Sequence, residues 1–396
     1  MIYRLNNKNS DKISQLGLGC MRFPKKGGQI DIEKSTEIVK KAIDGGINYL
    51  DTAYIYPGSE EAVGTILKNT GLRDKVKLAT KLPIAPLKAS ADFERIFARQ
   101  LERLKTDRID YYLIHMLCDT ATWQRLVNLG IIDWIADKKA SGKIINIGFS
   151  YHGGRAEFKN VVDVYPWDFC MIQYNYMDVN NQAGIAGLKY ANKAGLSVFV
   201  MEPLRGGMLV DGIPDRAKGI FSSYDSSRSL VEWGLKWLLN QPEVTMVLSG
   251  MNSLPQIEDN LKIASENDVG NLSGEELSVY DGVINEINKR VKVPCTGCGY
   301  CMPCPQGVDI PTCFSCYNET YTDKFITGEK HYLMTTGGMS AKHSYASLCV
   351  HCKKCQSHCP QSIDISARMT DVRKRMESFW FRPVTSMARK IMGRMK

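Results

Sequence analysis

The sequence predicts an α/β protein in which a (β/α)8 barrel is followed by a small, mainly helical, cysteine-rich domain. Up to about residue 290, short apolar runs rich in β-branched residues alternate with helix-length amphipathic segments, as in βα units around a parallel sheet. Eight such units favour a closed barrel over an open doubly wound sheet. Ten of the 13 cysteines lie after residue 290, which indicates a separate metal-binding domain. We therefore expect domains at 1–290 and 291–375, followed by a basic amphipathic tail at 376–396.

The eight expected strands are short and mostly apolar. They cover residues 13–20, 48–52, 76–82, 110–115, 144–150, 169–174, 197–202 and 244–249. Helices are expected between them, several opened by a good N-cap residue, beginning near Asp31, Ser59, Ser90, Thr122, Arg155, Asn181, Ser226 and Ser253. Ser273 and Glu276 form a capping box for a ninth helix that ends near Lys289. The segment 291–294 would then link the two domains.

Composition excludes several classes of protein. No run approaches the roughly 20 consecutive apolar residues of a membrane-spanning helix, and the first residues lack a secretory signal. We therefore expect a cytoplasmic protein without disulfides. Much of the net charge of +9 comes from the last thirty residues, which indicates a basic tail rather than a nucleic-acid-binding protein. The tail composition is compatible with contact to an anionic membrane surface, but docking of its apolar side onto the rest of the protein is the favoured interpretation.

Four polar residues are expected at or just after the ends of consecutive strands, where the catalytic groups of such barrels gather. Asp51 ends the second strand and Tyr56 follows in the adjoining loop, while Lys81 and His115 end the third and fourth strands. Taken singly, each residue has an ordinary structural explanation, such as capping a helix or packing in the core. Together they would converge on one cavity mouth, and this conjunction favours a catalytic site.

Such a group suits the reduction of a carbonyl. Hydride that arrives at the carbonyl carbon leaves charge on the oxygen, which needs a proton donor and positioned hydrogen bonds. Tyr56 is the candidate donor, since a neighbouring Lys81 ammonium would favour its ionised form and Asp51 would keep that lysine charged. His115 would orient the carbonyl oxygen.

These residues also resemble a known family. The segments DTAYIY at 51–56, TK at 80–81 and YLIH at 112–115 are similar to motifs of the aldo-keto reductases, and the resemblance extends over roughly residues 1–290. It implies a TIM barrel and a catalytic tetrad formed by the four residues named above. It also implies a nicotinamide cofactor, usually NADPH, that is bound without a Rossmann fold.

The same resemblance implies a set of cofactor contacts. From the nicotinamide end to the adenosine end, these are Ser150, Gln173, Leu204, Gly206, Gly250, Asn252, Gln256 and Asn260. Ser150 and Gln173 correspond to residues that hold the nicotinamide carboxamide. The loop 203–207 corresponds to a pyrophosphate contact, and the last strand and helix correspond to the adenosine side.

Three positions depart from the family's pattern. Tyr151 stands where an asparagine is common, and Met201 stands where an aromatic ring often stacks on the nicotinamide. Gln256 stands where NADPH-dependent members commonly have an arginine. A neutral amide does not make the charge-assisted contact that distinguishes a 2′-phosphate from a hydroxyl. Both NADPH and NADH therefore stay open as the cofactor.

The cysteines of the second domain form two runs. The run at 349–360, CxxCxxCxxxCP, is the bacterial ferredoxin signature, in which the fourth cysteine binds the other 4Fe-4S cluster. The run at 295–305 is one residue shorter before its last cysteine. Paired crosswise, the runs predict two clusters, the first held by Cys295, Cys298, Cys301 and Cys359 and the second by Cys304, Cys349, Cys352 and Cys355. Zinc is the alternative metal. Cys313 and Cys316 are expected to pack in a helix rather than bind metal.

This domain is also similar to the two-cluster ferredoxin modules that some aldo-keto reductases carry after the barrel, typically in anaerobes. Three functions remain open. The leading one is a nicotinamide-dependent oxidoreductase for a small carbonyl or alcohol, with the clusters relaying electrons to or from a ferredoxin-like carrier. Because a hydride moves two electrons and each cluster passes one, a flavin stays open as a third cofactor. The alternatives are an ordinary carbonyl reductase with structural or sensory clusters, and a catalytically idle barrel that serves as an electron-transfer partner or scaffold.

Overall fold

The strands of the protein confirm the predicted (β/α)8 barrel. The computed structural model describes residues 1–295, 297, 299–338, 343–359, 361–381 and 383–385. Its strands are β1 (Tyr3–Leu5), β2 (Lys12–Ser14), β3 (Leu16–Gly19), β4 (Lys25–Lys26), β5 (Gln29–Ile30), β6 (Tyr49–Asp51), β7 (Lys77–Pro83), β8 (Ile109–His115), β9 (Ile144–Tyr151), β10 (Phe169–Gln173), β11 (Ser197–Met201) and β12 (Val244–Ser249). Strands β1 with β2 and β4 with β5 form antiparallel pairs. The other eight close a parallel barrel in sequence order, with β12 beside β3.

The helices of the barrel follow the strands as expected, with two additions. They are α1 (Ile32–Asp44), α2 (Ser59–Thr70), α3 (Ser90–Leu104), α4 (Thr120–Asn128), α5 (Ile131–Ala140), α6 (Arg155–Asp163), α7 (Gly184–Lys193), α8 (Asp215–Tyr224), α9 (Leu230–Leu239), α10 (Leu254–Glu266) and α11 (Gly274–Asn288). The sequence pattern did not predict α5 or α8. Helix α5 begins after Gly130, which has a φ of 89°. This left-handed conformation at Gly130 ends the preceding helix. Helix α9 begins after Ser229 rather than near Ser226, because the Ser229 hydroxyl caps it.

Side chains inside the barrel set the orientation of the residues above them. Tyr49, Tyr111, Phe169 and Phe199 meet ring to ring, with centroids 5.0–5.6 Å apart. Side chains alternate between the two faces of a strand, so residues two or four positions after each of these aromatic residues on the same strand also point inward. The inner face at the carboxyl ends of these strands therefore presents Asp51, His115, Gln173 and Met201.

The second domain is helical and has its own apolar core. Its helices are α12 (Ile310–Thr322), α13 (Phe325–Tyr332) and α14 (Ile365–Met376). The core includes Phe314, Tyr332, Met369 and Val372. At the start of the tail, Phe381 packs against Tyr332 at a ring distance of 5.6 Å, so this part docks onto the second domain. The remaining tail, 386–396, lies outside the described residues. Within the described part of the chain, no helix is long and apolar enough to cross a membrane.

The second domain lies against the carboxyl end of the barrel. Arg155, at the start of α6, donates a hydrogen bond from Nη1 to the carbonyl oxygen of Gly297 at 2.9 Å. A Cβ atom on Gly154 would collide with Asp309, which caps α12, and one on Gly297 would lie 2.7 Å from the carbonyl oxygen of Asn180. The contacts are therefore close packed, and they bring the cysteine-rich loop beside the loops that follow β9 and β10.

Candidate active site and cysteine centres

The four residues expected at the strand ends come together at the mouth of the barrel. Lys81 forms an ion pair with Asp51, and its Nζ donates a hydrogen bond to the carbonyl oxygen of Thr52 at 2.7 Å. The same ammonium lies 5.0 Å from the centroid of the Tyr56 ring. The His115 ring meets the Tyr56 ring edge-on, with centroids 6.0 Å apart. Asp51, Lys81 and His115 are buried, whereas Tyr56 is half-buried.

Burial and neighbouring charges set the protonation of these groups. Burial alone would lower the pKa of Lys81, but Asp51 and Tyr56 raise it above its ordinary value, so the ammonium persists. Burial raises the pKa of Asp51, and Lys81 opposes that rise. Burial also raises the pKa of Tyr56. Lys81 acts on Tyr56 in the expected direction, but burial outweighs it, and the phenol keeps its proton at neutral pH.

His115 is a neutral imidazole at neutral pH. Burial is the largest cause that lowers its pKa well below the ordinary value, and the charges of Lys81 and His152 add to the effect. A neutral ring keeps one N–H donor and one acceptor nitrogen. His115 can therefore donate a hydrogen bond to a substrate oxygen without becoming charged.

A buried polar cluster fixes the strand that presents Lys81. Thr80 donates to Oε1 of Glu60 at 2.7 Å, and Gln100 donates to the same oxygen at 2.8 Å. Gln100 also donates to the carbonyl oxygen of Lys81 at 3.1 Å, and Arg103 pairs with Glu60 at 3.2 Å. Helices α2 and α3 thus hold the carboxyl end of β7 in place.

Ser150 and Gln173, the expected carboxamide contacts, lie at the carboxyl ends of β9 and β10. The Ser150 hydroxyl accepts a hydrogen bond from the backbone N–H of Met116 at 2.9 Å. Gln173 donates from Nε2 to Asp178 at 2.5 Å, while its buried Oε1 has no partner among the described residues. A buried acceptor without a donor suits an amide N–H such as that of a nicotinamide carboxamide.

The departures at this end of the site have different consequences. Tyr151 points away from the barrel interior, because its ring packs on Phe158 at 4.8 Å and its hydroxyl donates to the carbonyl oxygen of Gly154 at 2.5 Å. It is therefore unsuited to hold the carboxamide. Met201 faces inward, beside the aromatic residues of the barrel interior.

Arg22, which no sequence pattern singled out, lies between the loop expected to contact the diphosphate and the segment expected on the adenosine side. Nη1 of Arg22 donates to the carbonyl oxygen of Gly206 at 3.3 Å. A Cβ atom on Gly206 would lie 3.0 Å from Arg22 Nη2, and one on Gly250 would lie 3.5 Å from Arg22 Cδ. Arg22 is exposed. Its position directly after the first barrel strand is the only sequence signal, and a single exposed cation there is too ordinary to single out.

The other expected cofactor residues already have partners within the protein. Leu204 packs against Gly234 of α9. Oε1 of Gln256 accepts from the backbone N–H of Asn252 at 2.9 Å. Buried Asn260 donates to the Ser249 hydroxyl at 3.0 Å and so ties α10 to β12.

Two cavities in the second domain are bordered by the two predicted cysteine quartets. The first is lined by Cys295, Cys301 and Cys359. Cys298, the fourth expected ligand, lies outside the described residues. The second is lined by Cys304, Cys349, Cys352 and Cys355. The fold therefore brings each run's last cysteine to the other run, as crosswise pairing requires.

The donor set of the second cavity suits an iron-sulfur cluster. Cys304, Cys349, Cys352 and Cys355 all line this cavity, together with apolar residues such as Val308 and Met369. Four thiolates among apolar walls are the ligand set of a 4Fe-4S cluster. Among the described residues, no three His, Cys, Asp or Glu side chains are grouped as ligands of a single metal ion.

Cys313 and Cys316 lie apart from both cavities. Both thiols are buried in the core of the second domain. Burial raises the pKa of each of them above the ordinary value. The Cys313 thiol donates to the carbonyl oxygen of Ser344 at 3.6 Å. These two residues thus pack on α12, as expected.

Comparison with known proteins assigns both parts of the chain. The model of the aldo/keto reductase family matches residues 15–278, well over half of the chain. The chain belongs to the aldo/keto reductase family. A model for a 4Fe-4S dicluster domain matches residues 294–364, so the cysteine-rich part of this aldo/keto reductase is an iron-sulfur domain rather than a zinc module.

Several relatives cover the barrel of this aldo/keto reductase. An aldo-keto reductase from Strobilurus tenacellus is 26% identical over 293 residues, which are 64% of this chain and 84% of the relative. An uncharacterised oxidoreductase from Bacillus subtilis is 27% identical and covers 66% of this chain and 90% of its own length. The structure of an aldo-keto reductase from Bacillus halodurans in its holo form superposes with a TM-score of 0.60 at 26% identity, over 72% of this chain and 96% of that chain. A Klebsiella pneumoniae aldo-keto reductase in complex with NADPH shares the fold, with a TM-score of 0.59 at 23% identity, over 72% of this chain and 96% of that chain.

Proposed function

We propose that this aldo/keto reductase transfers a hydride between NADPH or NADH and a small carbonyl or alcohol, with Asp51, Tyr56, Lys81 and His115 as its catalytic residues. The supporting observation is the meeting of a protonated phenol, an ammonium and a neutral imidazole at the barrel mouth. These are the groups that a developing alkoxide needs.

In the reductive direction, a bound nicotinamide would supply the hydride to the carbonyl carbon, and the electron pair of the C=O π bond would move to the oxygen. Tyr56 gives that oxygen its proton. Lys81 stabilises the phenolate left on Tyr56 until solvent reprotonates it, and Asp51 holds Lys81 in place. His115 donates a hydrogen bond to the same oxygen. Proton donation of this kind contributes roughly 10²- to 10⁴-fold to the rate.

The cofactor would be held by residues from five segments of the barrel. The free Oε1 of Gln173 would accept a hydrogen bond from the carboxamide, and Ser150 on the neighbouring strand β9 would offer its hydroxyl. Arg22 supplies a cation between the Gly206 and Gly250 loops, where a dinucleotide diphosphate would need one. The NADPH bound by the Klebsiella pneumoniae protein supports NADP(H), whereas Gln256 supplies no charge for a 2′-phosphate. Titration with both nucleotides decides between them.

Replacing Tyr56 by phenylalanine tests the proposed chemistry. Tyr56→Phe keeps the ring and removes the proton donor, so we expect turnover of a panel of small aldehydes and ketones to be lost while nucleotide binding is retained. Tyr54→Phe, in the same loop, is the matched control, and we expect it to retain activity. Full activity of Tyr56→Phe would contradict the assigned role and would favour an idle barrel.

We also propose that the protein holds two 4Fe-4S clusters, one in each quartet, which store and pass single electrons between the barrel and a ferredoxin-like carrier. The first quartet is the one beside the barrel, since Gly297 in its loop contacts Arg155. Cys352 of the second quartet is exposed, which suits exchange with an external protein.

The visible spectrum of the anaerobically purified protein tests the relay. We expect an iron content that corresponds to two clusters, and bleaching of the brown band by nicotinamide in the presence of substrate or carrier. A band that dithionite reduces but that nicotinamide never bleaches would favour structural or sensory clusters. Flavin released on denaturation would identify the group that divides the electron pair.

A further inference from the structure

A buried charge network joins the expected diphosphate loop of the barrel to the iron-sulfur domain. Arg205, in the loop 203–207, donates from Nε to Oδ2 of Asp178 at 2.9 Å and from Nη2 to Oδ1 at 3.0 Å. The same Nη2 lies 3.7 Å from Oε1 of Glu319 in α12. These three side chains are only 9%, 4% and 5% exposed, in that order. Arg205 is thus shared between a carboxylate of each domain.

The network extends to the expected carboxamide contact in the barrel and to a histidine in the iron-sulfur domain. On the barrel side, Gln173 of the nicotinamide end and Asn175 both donate to Oδ2 of Asp178, at 2.5 and 2.8 Å. On the other side, Oε2 of Glu319 lies 2.8 Å from Nδ1 of His331 in α13. A continuous polar path therefore links the expected carboxamide contact to α12, whose residue Ile310 lines both cysteine cavities, and on to α13.

The loop that contains Arg205 is strained. Three residues of the loop have φ in the left-handed region, namely Arg205 (47°), Gly206 (68°) and Gly207 (101°). Glu202, directly before the loop, also has a left-handed φ, of 56°. Two of them are not glycine, and such a conformation persists only where surrounding contacts hold it. The bidentate contact with Asp178 and the ion pair with Glu319 are contacts of this kind.

We propose that Glu319 makes the iron-sulfur domain a determinant of nucleotide binding in the barrel, by positioning Arg205 and so holding the loop 203–207 ready for the cofactor diphosphate. The inference rests on the proposed nicotinamide function. Glu319 is a positioning residue, because it acts through Arg205 rather than on the nucleotide. Without it, the loop relaxes toward unstrained conformations, and the nucleotide must select the competent one, which weakens the apparent affinity.

Nucleotide titration of the full-length, cluster-loaded protein tests the proposal. We expect Glu319→Gln to weaken the Kd for both NADH and NADPH about fivefold or more, the usual size of coupling between two sites. Glu329→Gln, in α13 of the same domain, is the matched control and should leave both Kd values unchanged. In steady state, Glu319→Gln should raise KM for the nucleotide while kcat at saturation changes little. The iron-sulfur absorbance per chain should match that of the wild-type protein.

Two further variants separate positioning from general damage. Arg205→Gln alone should weaken binding, and adding Glu319→Gln to it should cost little more, because both changes break the same contact. Glu319→Asp keeps the charge and should recover part of the affinity. Additive losses in the double variant, or a Glu319→Asp as weak as Glu319→Gln, would overturn the proposal.

The nucleotide affinity of the wild-type protein distinguishes failure of the positioning role from failure of the proposed nicotinamide function. Tight binding by the wild-type protein together with an unchanged Kd in Glu319→Gln would overturn the positioning role alone. If the wild-type protein binds neither nucleotide, the proposed nicotinamide function is wrong, and the positioning role falls with it.

Discussion

Variants that remove the Lys81 ammonium should show that its effect on the stability of the barrel can be restored while its effect on turnover cannot. Lys81 and Asp51 form an ion pair with side chains 2% and 3% exposed, and Oδ1 of Asp51 has no partner among the described residues. Lys81→Met therefore leaves a buried carboxylate that has lost its ion-pair partner. A loss of this kind typically costs about 3–5 kcal/mol of unfolding free energy. Replacing both residues, as in Asp51→Leu with Lys81→Met, removes the uncompensated charge and should restore most of that loss.

Urea unfolding followed by tryptophan fluorescence measures the stability of the barrel, while cluster absorbance reports separately on the second domain. Lys68→Met, at an exposed position in α2, is the control and should change stability by less than about 0.5 kcal/mol. Turnover should be lost in both Lys81→Met and the double variant, because neither retains the charge that stabilises the Tyr56 phenolate. A Lys81→Met protein as stable as the wild type, or an active double variant, would refute this reasoning.

Two further predictions concern the cofactor and pH. Arg22→Gln should weaken binding of both nucleotides about tenfold at low salt and less at high salt, since the lost contact is an exposed charge. Arg99→Gln in α3 is the control in the same fluorescence titration. Equal nucleotide affinities of Arg22→Gln and the wild-type protein would contradict a diphosphate contact. Burial lowers the pKa of His331, but the hydrogen bond and charge of Glu319 and the charge of Glu202 outweigh burial and raise that pKa above its ordinary value. Its contribution to stability is therefore present below the unfolded pKa of about 6.5 and is lost as pH rises through the higher folded pKa. Melting temperatures across this range should fall in the wild-type protein and stay flatter in His331→Gln.

Strand ends and cysteine spacing explain why so much of this protein could be predicted. Each βα unit is encoded by a local alternation of apolar runs and amphipathic segments, so the eight units and the barrel followed from the sequence. Asp51 and His115 end β6 and β8, and Lys81 lies two residues before the end of β7 between them, so the closed parallel sheet has to bring all three to one mouth. The spacing of the two cysteine runs likewise predicted the crosswise grouping that borders both cavities in the described residues.

Contacts between residues far apart in the sequence were decided only by the tertiary structure. Arg22 meets Gly206 across 184 positions, and Glu319 meets Arg205 across the domain boundary. No periodicity or spacing marks such pairs, because they depend on how whole strands and helices pack. The net pKa shift of Tyr56 belongs to the same class: the sequence names the neighbouring Lys81, but only the fold determines the burial that outweighs it. Local pattern thus determined the scaffold and the polar residues at its mouth, whereas packing determined what surrounds those residues and joins them to the iron-sulfur domain.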